Sequence, residues 1–158
     1  MLHRCFIYHD FHPLRALRMS DSRPIVQAVL EYTLNDLQQH TLLEIDDRLP
    51  NEYLATLSNT DKLDALRACL ILHRMTSSAI VSRVFQLQAS LALLNGKDTI
   101  VTAGTGCGKT LCQLIPMLLR PGSVSITISP LKRLQVTQVW SCGQTFFKSD
   151  VIAFVHQV

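Results

Sequence analysis

One stretch limits the choice of fold more than any other. It is Ala103-Gly104-Thr105-Gly106-Cys107-Gly108-Lys109-Thr110, directly after the β-branched run Thr99-Ile100-Val101-Thr102. Glycine at alternate positions lets backbone amides turn to one side, with no Cβ to hold a ligand away. A helix beginning at about Lys109 adds its own unpaired N-terminal amides. Such a loop closes round phosphate oxygens, places the Lys109 ammonium on the β- and γ-phosphates of a nucleotide, and leaves the Thr110 hydroxyl to ligate Mg²⁺. Glycine is about 7% of average composition, so a chance match to the fixed positions is on the order of 1%. A β-branched strand before the loop and a helix after it are the context the motif requires. ATP and Mg²⁺ are therefore the expected cofactors, and Ala103 to Thr110 the expected binding residues.

What surrounds the loop has the grammar of an α/β protein. Phe85 to Leu94 reads as a helix closed by Gly96, and Thr99–Thr102 as a buried strand. A helix follows from about Lys109 to Leu119, which Pro116 should bend or interrupt. Ser123–Ser129 alternates as a second strand, Leu131–Val139 is helical, and Val151–Val155 suits a third strand. The texture before this is purely helical. Apolar residues at Val26, Val29, Leu30, Leu34 and Leu37 predict one helix over Pro24–Gln39. A second is predicted over Asp61–His73, with Leu63, Leu66, Leu70 and Ile71 inward and Thr60 as cap. Residues 1–20 are expected to be irregular or disordered, with 1–18 adding nothing to the fold, 21–76 to form a helical extension, and 77–158 the first part of the nucleotide domain. Arg74–Ser82 is read as the linker.

Composition sets outer limits. An apolar fraction of 47% supports a real core, and 17% charged residues with a net charge of +3 is only mildly basic. The five cysteines have no C-x-x-C pairing, and the six histidines no ligand frame, so neither a zinc site nor a disulfide framework is expected. Reduced thiols point to an intracellular protein. No apolar run approaches the ~18 residues of a membrane span.

The loop fits the form A-x-T-G-x-G-K-T and so resembles that of superfamily-two helicases. Upstream, Arg83-Val84-Phe85-Gln86 precedes Gly96-Lys97-Asp98 in the manner of the R-x-x-Q…G-(K/R)-D element of RecQ-like helicases. That resemblance assigns Gln86 to the adenine edge and Arg83 to a stacking or polar contact; the family's aromatic residue before the arginine is Ser82 here. Downstream, Ser129-Pro130-Leu131 with Leu134, Gln138 and Val139 is similar to the RecQ-like S-P-L-x-x-L-x-x-x-Q-V element. It implies that Ser129, Pro130, Lys132, Arg133 and Gln138 hold single-stranded DNA by its backbone, with little regard to base sequence. The texture is nearest to the RecQ-type helicases that some fungi encode in several copies. The implied fold is the first part of a RecA-like P-loop domain with a parallel sheet, preceded by a helical extension that is free for a protein partner. The implied location is the nucleus.

Residues 141–158 do not match the family, and no D-E-x-H or D-E-A-D box follows the loop. With no such carboxylate to hold Mg²⁺ or polarise water, weak ATP binding and negligible turnover are expected of these residues alone. Three readings compete: the N-terminal part of an ATP-dependent 3′–5′ DNA helicase, a nucleotide-binding module without catalysis, and a helical interaction protein with a vestigial loop. Intact Lys109 and Thr110 weigh against the third.

Overall fold

The computed structural model describes residues 5–7, 22–123, 126–128 and 153–155. In chain order these give β1 (Cys5–Ile7), α1 (Ser22–Leu30), α2 (Leu34–Glu44), a 3₁₀ turn (Asp46–Arg48), α3 (Asn51–Ala55), α4 (Asn59–Met75), α5 (Val84–Leu94), β2 (Thr99–Val101), α6 (Leu111–Leu119), β3 (Ile126–Ile128) and β4 (Ala153–Val155).

The single helix expected over Pro24–Gln39 is two helices. Thr33 breaks it by capping α2: its hydroxyl accepts from the Asp36 amide, and the Asp36 carboxylate takes the Thr33 amide in return. Neither half could keep the 3.6 period across that cap. In α4 the cap is Ser58, not Thr60, and the helix runs on to Met75, into the stretch read as a linker.

Helix α4 is the frame. Ala65, Leu66 and every residue from Ala68 to Met75 except Arg74 are buried, which is the pattern of a helix enclosed on nearly all sides. Helices α1, α2, α3, α5 and α6 all pack against it, and one apolar cluster runs from Val29 and Leu37 through Leu70 and Ile71 to Leu87, Ile115 and Leu118. The helical extension and the helices flanking the loop thus share one core. Polar ties fix the angles. Arg67 donates to the Leu30 and Tyr32 carbonyls at the end of α1, and Arg74 grips Glu44 of α2 with two bonds. Asn95 after α5 bonds Asp61, and Arg120 after α6 pairs with Asp64.

Pro116 lies within α6 without ending it. Proline costs one amide, the one that the Cys112 carbonyl would use, and the Ser90 hydroxyl of α5 donates to that carbonyl at 3.3 Å.

The strands are short and lie in two parallel pairs, β1 with β2 and β3 with β4. A single continuous parallel sheet is not formed among the described residues. β1 is a difference from the expectation for residues 1–20: Cys5-Phe6-Ile7 matches Thr99-Ile100-Val101 residue for residue and satisfies backbone groups along one side of β2. The expected helix Leu131–Val139 lies outside the described residues.

Helices α4 and α5 end alike. Lys97 donates back to the Ala92 carbonyl across Gly96 at φ +75°, and Ser78 donates to His73 across Ser77 at φ +49°. Glycine adopts that backbone freely, whereas a serine strains by about 1–2 kcal/mol. Ser77→Gly should therefore raise the melting temperature by about 2 °C, after allowing for the added freedom of the unfolded chain; an unchanged or lower value in a thermal melt would contradict this.

The same turn is held by Arg48, whose guanidinium donates to the Ser78 carbonyl and to Nδ1 of buried His73 at 3.2 Å. Arginine only donates, so Nδ1 accepts and the ring is neutral. Burial, Arg48 and Arg74 hold the His73 pKa below its ordinary 6.5, against the opposing pull of Glu44. The contribution of the neutral ring is complete above pH 6.5 and is lost as pH falls below it toward the lowered folded-state value. Thermal melts at about pH 8 and about pH 5 should show a drop that His73→Gln, which keeps an acceptor, makes smaller.

Candidate phosphate-binding site

β2 delivers the chain to Ala103, and α6 receives it at Leu111. Between them Gly106 and Gly108 stand at φ +78° and +80°, the left-handed backbone that the sequence requires there. The loop's internal bonds are few: Cys107 donates to the Gly104 carbonyl at 3.4 Å and Leu111 to Gly108 at 3.0 Å. Among the described residues no acceptor takes the amides of Thr105, Gly106, Gly108, Lys109 or Thr110. Successive unbonded amides at a helix N-terminus form a concavity suited to an anion.

Lys109 is 5% exposed, and its ammonium donates to the carbonyls of Ala103 at 2.6 Å and Gly104 at 2.9 Å. The loop is thus closed on its own lysine. Thr110 is buried beside it. Cys107 is half-buried, and Cys69 and Cys112 are fully buried. Burial raises the Cys69 thiol to about 12, so it is inert at neutral pH.

Helix α5 forms the other wall. Gln86 is 2% exposed, and its amide nitrogen donates to the carbonyls of Cys107 at 3.2 Å and Gly108 at 3.0 Å. Its oxygen accepts the Arg83 amide at 2.8 Å. Arg83, the residue before the helix, is exposed, and Ser82 is buried and carries no ring. The structure therefore brings Gln86 and residues 103–110 together. It does not describe Ser129, Pro130, Lys132, Arg133 or Gln138, which lie outside the described residues. Sequence reading missed Ser90. The signal was there: Gln86 and Ser90 are polar residues four apart in an apolar-rich helix, hence on one face, whereas Gln88 lies on another.

The three loop glycines are not equivalent. A Cβ at Gly108 would lie 2.7 Å from the Gln86 amide nitrogen, on a positive φ as well. One at Gly106 would meet nothing within 4 Å but would still carry the backbone strain, and one at Gly104 would make an ordinary 3.6 Å contact with the Cys107 sulfur. Alanine substitution should lower thermal stability most at Gly108, less at Gly106 (about 1–2 kcal/mol) and least at Gly104. Equal losses at the three positions would refute this ranking.

Comparison with known proteins places part of the chain beside a helicase family. Residues 83–157 match the DEAD/DEAH box helicase family, which corrects the expectation that the residues after 140 fall outside it. The chain is 41% identical over 54 residues to "ATP-dependent DNA helicase Q-like 5" of Arabidopsis thaliana, covering 34% of this chain and 6% of that protein. It is 47% identical over 57 residues to "RecQ-like DNA helicase BLM" of Xenopus laevis, covering 36% and 4%. To "ATP-dependent DNA helicase RecQ" of Haemophilus influenzae it is 35% identical over 85 residues, covering 49% and 14%. The chain thus spans only a small part of the length of these relatives. No solved structure matches it. A helicase domain of this kind implies the RecA-like P-loop fold. Residues 83–157 are therefore similar to the DEAD/DEAH box helicase family, and the similar full-length proteins are RecQ-family helicases.

Proposed function

We propose that residues 103–110 bind the triphosphate of ATP, and that the chain serves as the ATP-binding segment of a RecQ-type DNA helicase motor. The observation that carries this reading is the buried Lys109 ammonium, held by two loop carbonyls beneath a row of unbonded amides. The chemistry of the site fits the ligand. A γ-phosphate offers Lys109 a charged acceptor in place of two neutral ones, and such bonds are roughly twice as strong. Mg²⁺, when bound, neutralises charge between the phosphates, and the Thr110 hydroxyl would hold it with phosphate oxygens and water. Gly106 and Gly108 keep side chains out of the phosphate's approach, and α6 presents its N-terminal dipole.

Single-stranded DNA is the second ligand we propose, gripped through its phosphates at Ser129, Pro130, Lys132, Arg133 and Gln138, in the nucleus. This sequence contains no D-E-x-H box, so its residues hold and orient a nucleotide without offering that carboxylate to the attacking water.

Iodoacetamide should label Cys107 in the free protein ahead of the buried Cys69 and Cys112, and Mg-ATP should suppress that labelling. Lys109→Ala should raise the ATP concentration needed by roughly tenfold or more, the loss of one charged hydrogen bond. Equal labelling of Cys107 with and without saturating Mg-ATP would remove the proposal.

A further inference from the structure

The first turn of α6 ends the phosphate loop and carries a defect of its own. Pro116 has no N–H to offer the Cys112 carbonyl, and its ring crowds that carbonyl from within the helix. Cys112 is fully buried, so bulk water cannot supply the missing donor. The Ser90 hydroxyl of α5 supplies it at 3.3 Å, from a residue only 1% exposed. A serine in mid-helix often bonds back to its own helix; this one reaches across to the neighbouring helix. The other buried residues of the two helices, among them Leu87, Leu91, Leu114 and Ile115, belong to the apolar core. Apolar burial is not directional, so it holds the helices together and leaves their relative rotation to polar ties.

What the tie fixes is the start of α6. Leu111, Cys112 and Gln113 donate to the carbonyls of Gly108, Lys109 and Thr110, three residues back, so this turn is tightly wound. The amides of Lys109 and Thr110 in the same turn have no acceptor among the described residues. A tight turn moves as one piece, and holding Cys112 therefore holds those amides. Ser90 and Cys112 are both out of solvent, so a ligand at the loop does not meet their bond and need not exchange it.

We propose that Ser90 is a positioning residue of the phosphate site. Its hydroxyl does what the backbone of residue 116 cannot, and so keeps the Lys109 and Thr110 amides in register for a phosphate. This rests on the reading of residues 103–110 as a triphosphate site, and goes beyond it by giving a part to a residue outside the loop.

The test is a double-mutant cycle on the full chain, with Ser90→Ala, Pro116→Ala and the two together. For each, the Mg-ATP concentration that half-protects Cys107 from iodoacetamide is read well below the melting temperature. Ser90→Ala alone should raise that midpoint about fivefold, the loss of one buried hydrogen bond. Pro116→Ala restores an N–H to residue 116, so on that background Ser90→Ala should change the midpoint by less than about 1.5-fold. A merely structural serine would lower the melting temperature and leave the midpoint of the folded chain where it was. An unchanged midpoint in Ser90→Ala would overturn the proposal and leave nucleotide binding standing, as would a rise that Pro116→Ala does not relieve. Where Ser90→Ala does not fold, recovery of folding and of the midpoint on adding Pro116→Ala supports the proposal, and continued failure overturns it. Absence of protection by Mg-ATP in the unaltered chain would overturn both readings.

Discussion

A loop with two residues at positive φ and few bonds of its own cannot keep a shape, so its neighbours must hold it. Two side chains do so from opposite sides. Lys109 reaches back to the carbonyls at the loop's entrance, and Gln86 reaches across from α5 to the carbonyls near its exit. With its carbonyls taken up in this way, the loop leaves the amides of Thr105, Gly106, Gly108, Lys109 and Thr110 unbonded among the described residues. The backbone polarity of the site, carbonyls held and amides open, is thus the work of one amide and one ammonium.

Everything beyond the loop serves to keep those two side chains in place. Gln86 is positioned by α5, α5 is set against α6 by the Ser90–Cys112 bond and apolar packing, and both rest on α4. Because α4 is enclosed on nearly all sides, the helices that precede the loop in sequence belong to the same core as those that flank it. Helices α1 and α2 are tied to α4 through Arg67 and Arg74, and so share the support on which α5 and α6 rest. Packed interiors transmit small displacements because they have little free volume to absorb them.

Much of this was legible in the sequence, and for identifiable reasons. The phosphate loop was clear because glycine spacing, strand and helix all had to coincide. Gly96 marked the end of α5 because the left-handed position there suits glycine. The division between α1 and α2 was hidden, since the apolar spacing ran on through Thr33 and only the reciprocal Thr33–Asp36 bonds show the break. β1 was hidden too: three residues carry no period, and only the partner strand gives Cys5–Ile7 its structure. Gln86 was read as an adenine contact, and its bonds to the loop carbonyls were not legible, because a sequence cannot show which acceptors an amide meets. The segment Ser129–Gln138 lies outside the described residues, and its role rests on resemblance alone.

The bonds from Lys109 to the Ala103 and Gly104 carbonyls set a threshold for any other acceptor offered to that ammonium. Both carbonyls belong to the same loop, so they act at very high effective concentration. Under the reading proposed above, a phosphate wins Lys109 only because a charged acceptor rewards the ammonium more than two neutral ones do. A neutral group of the same size gains nothing by the exchange.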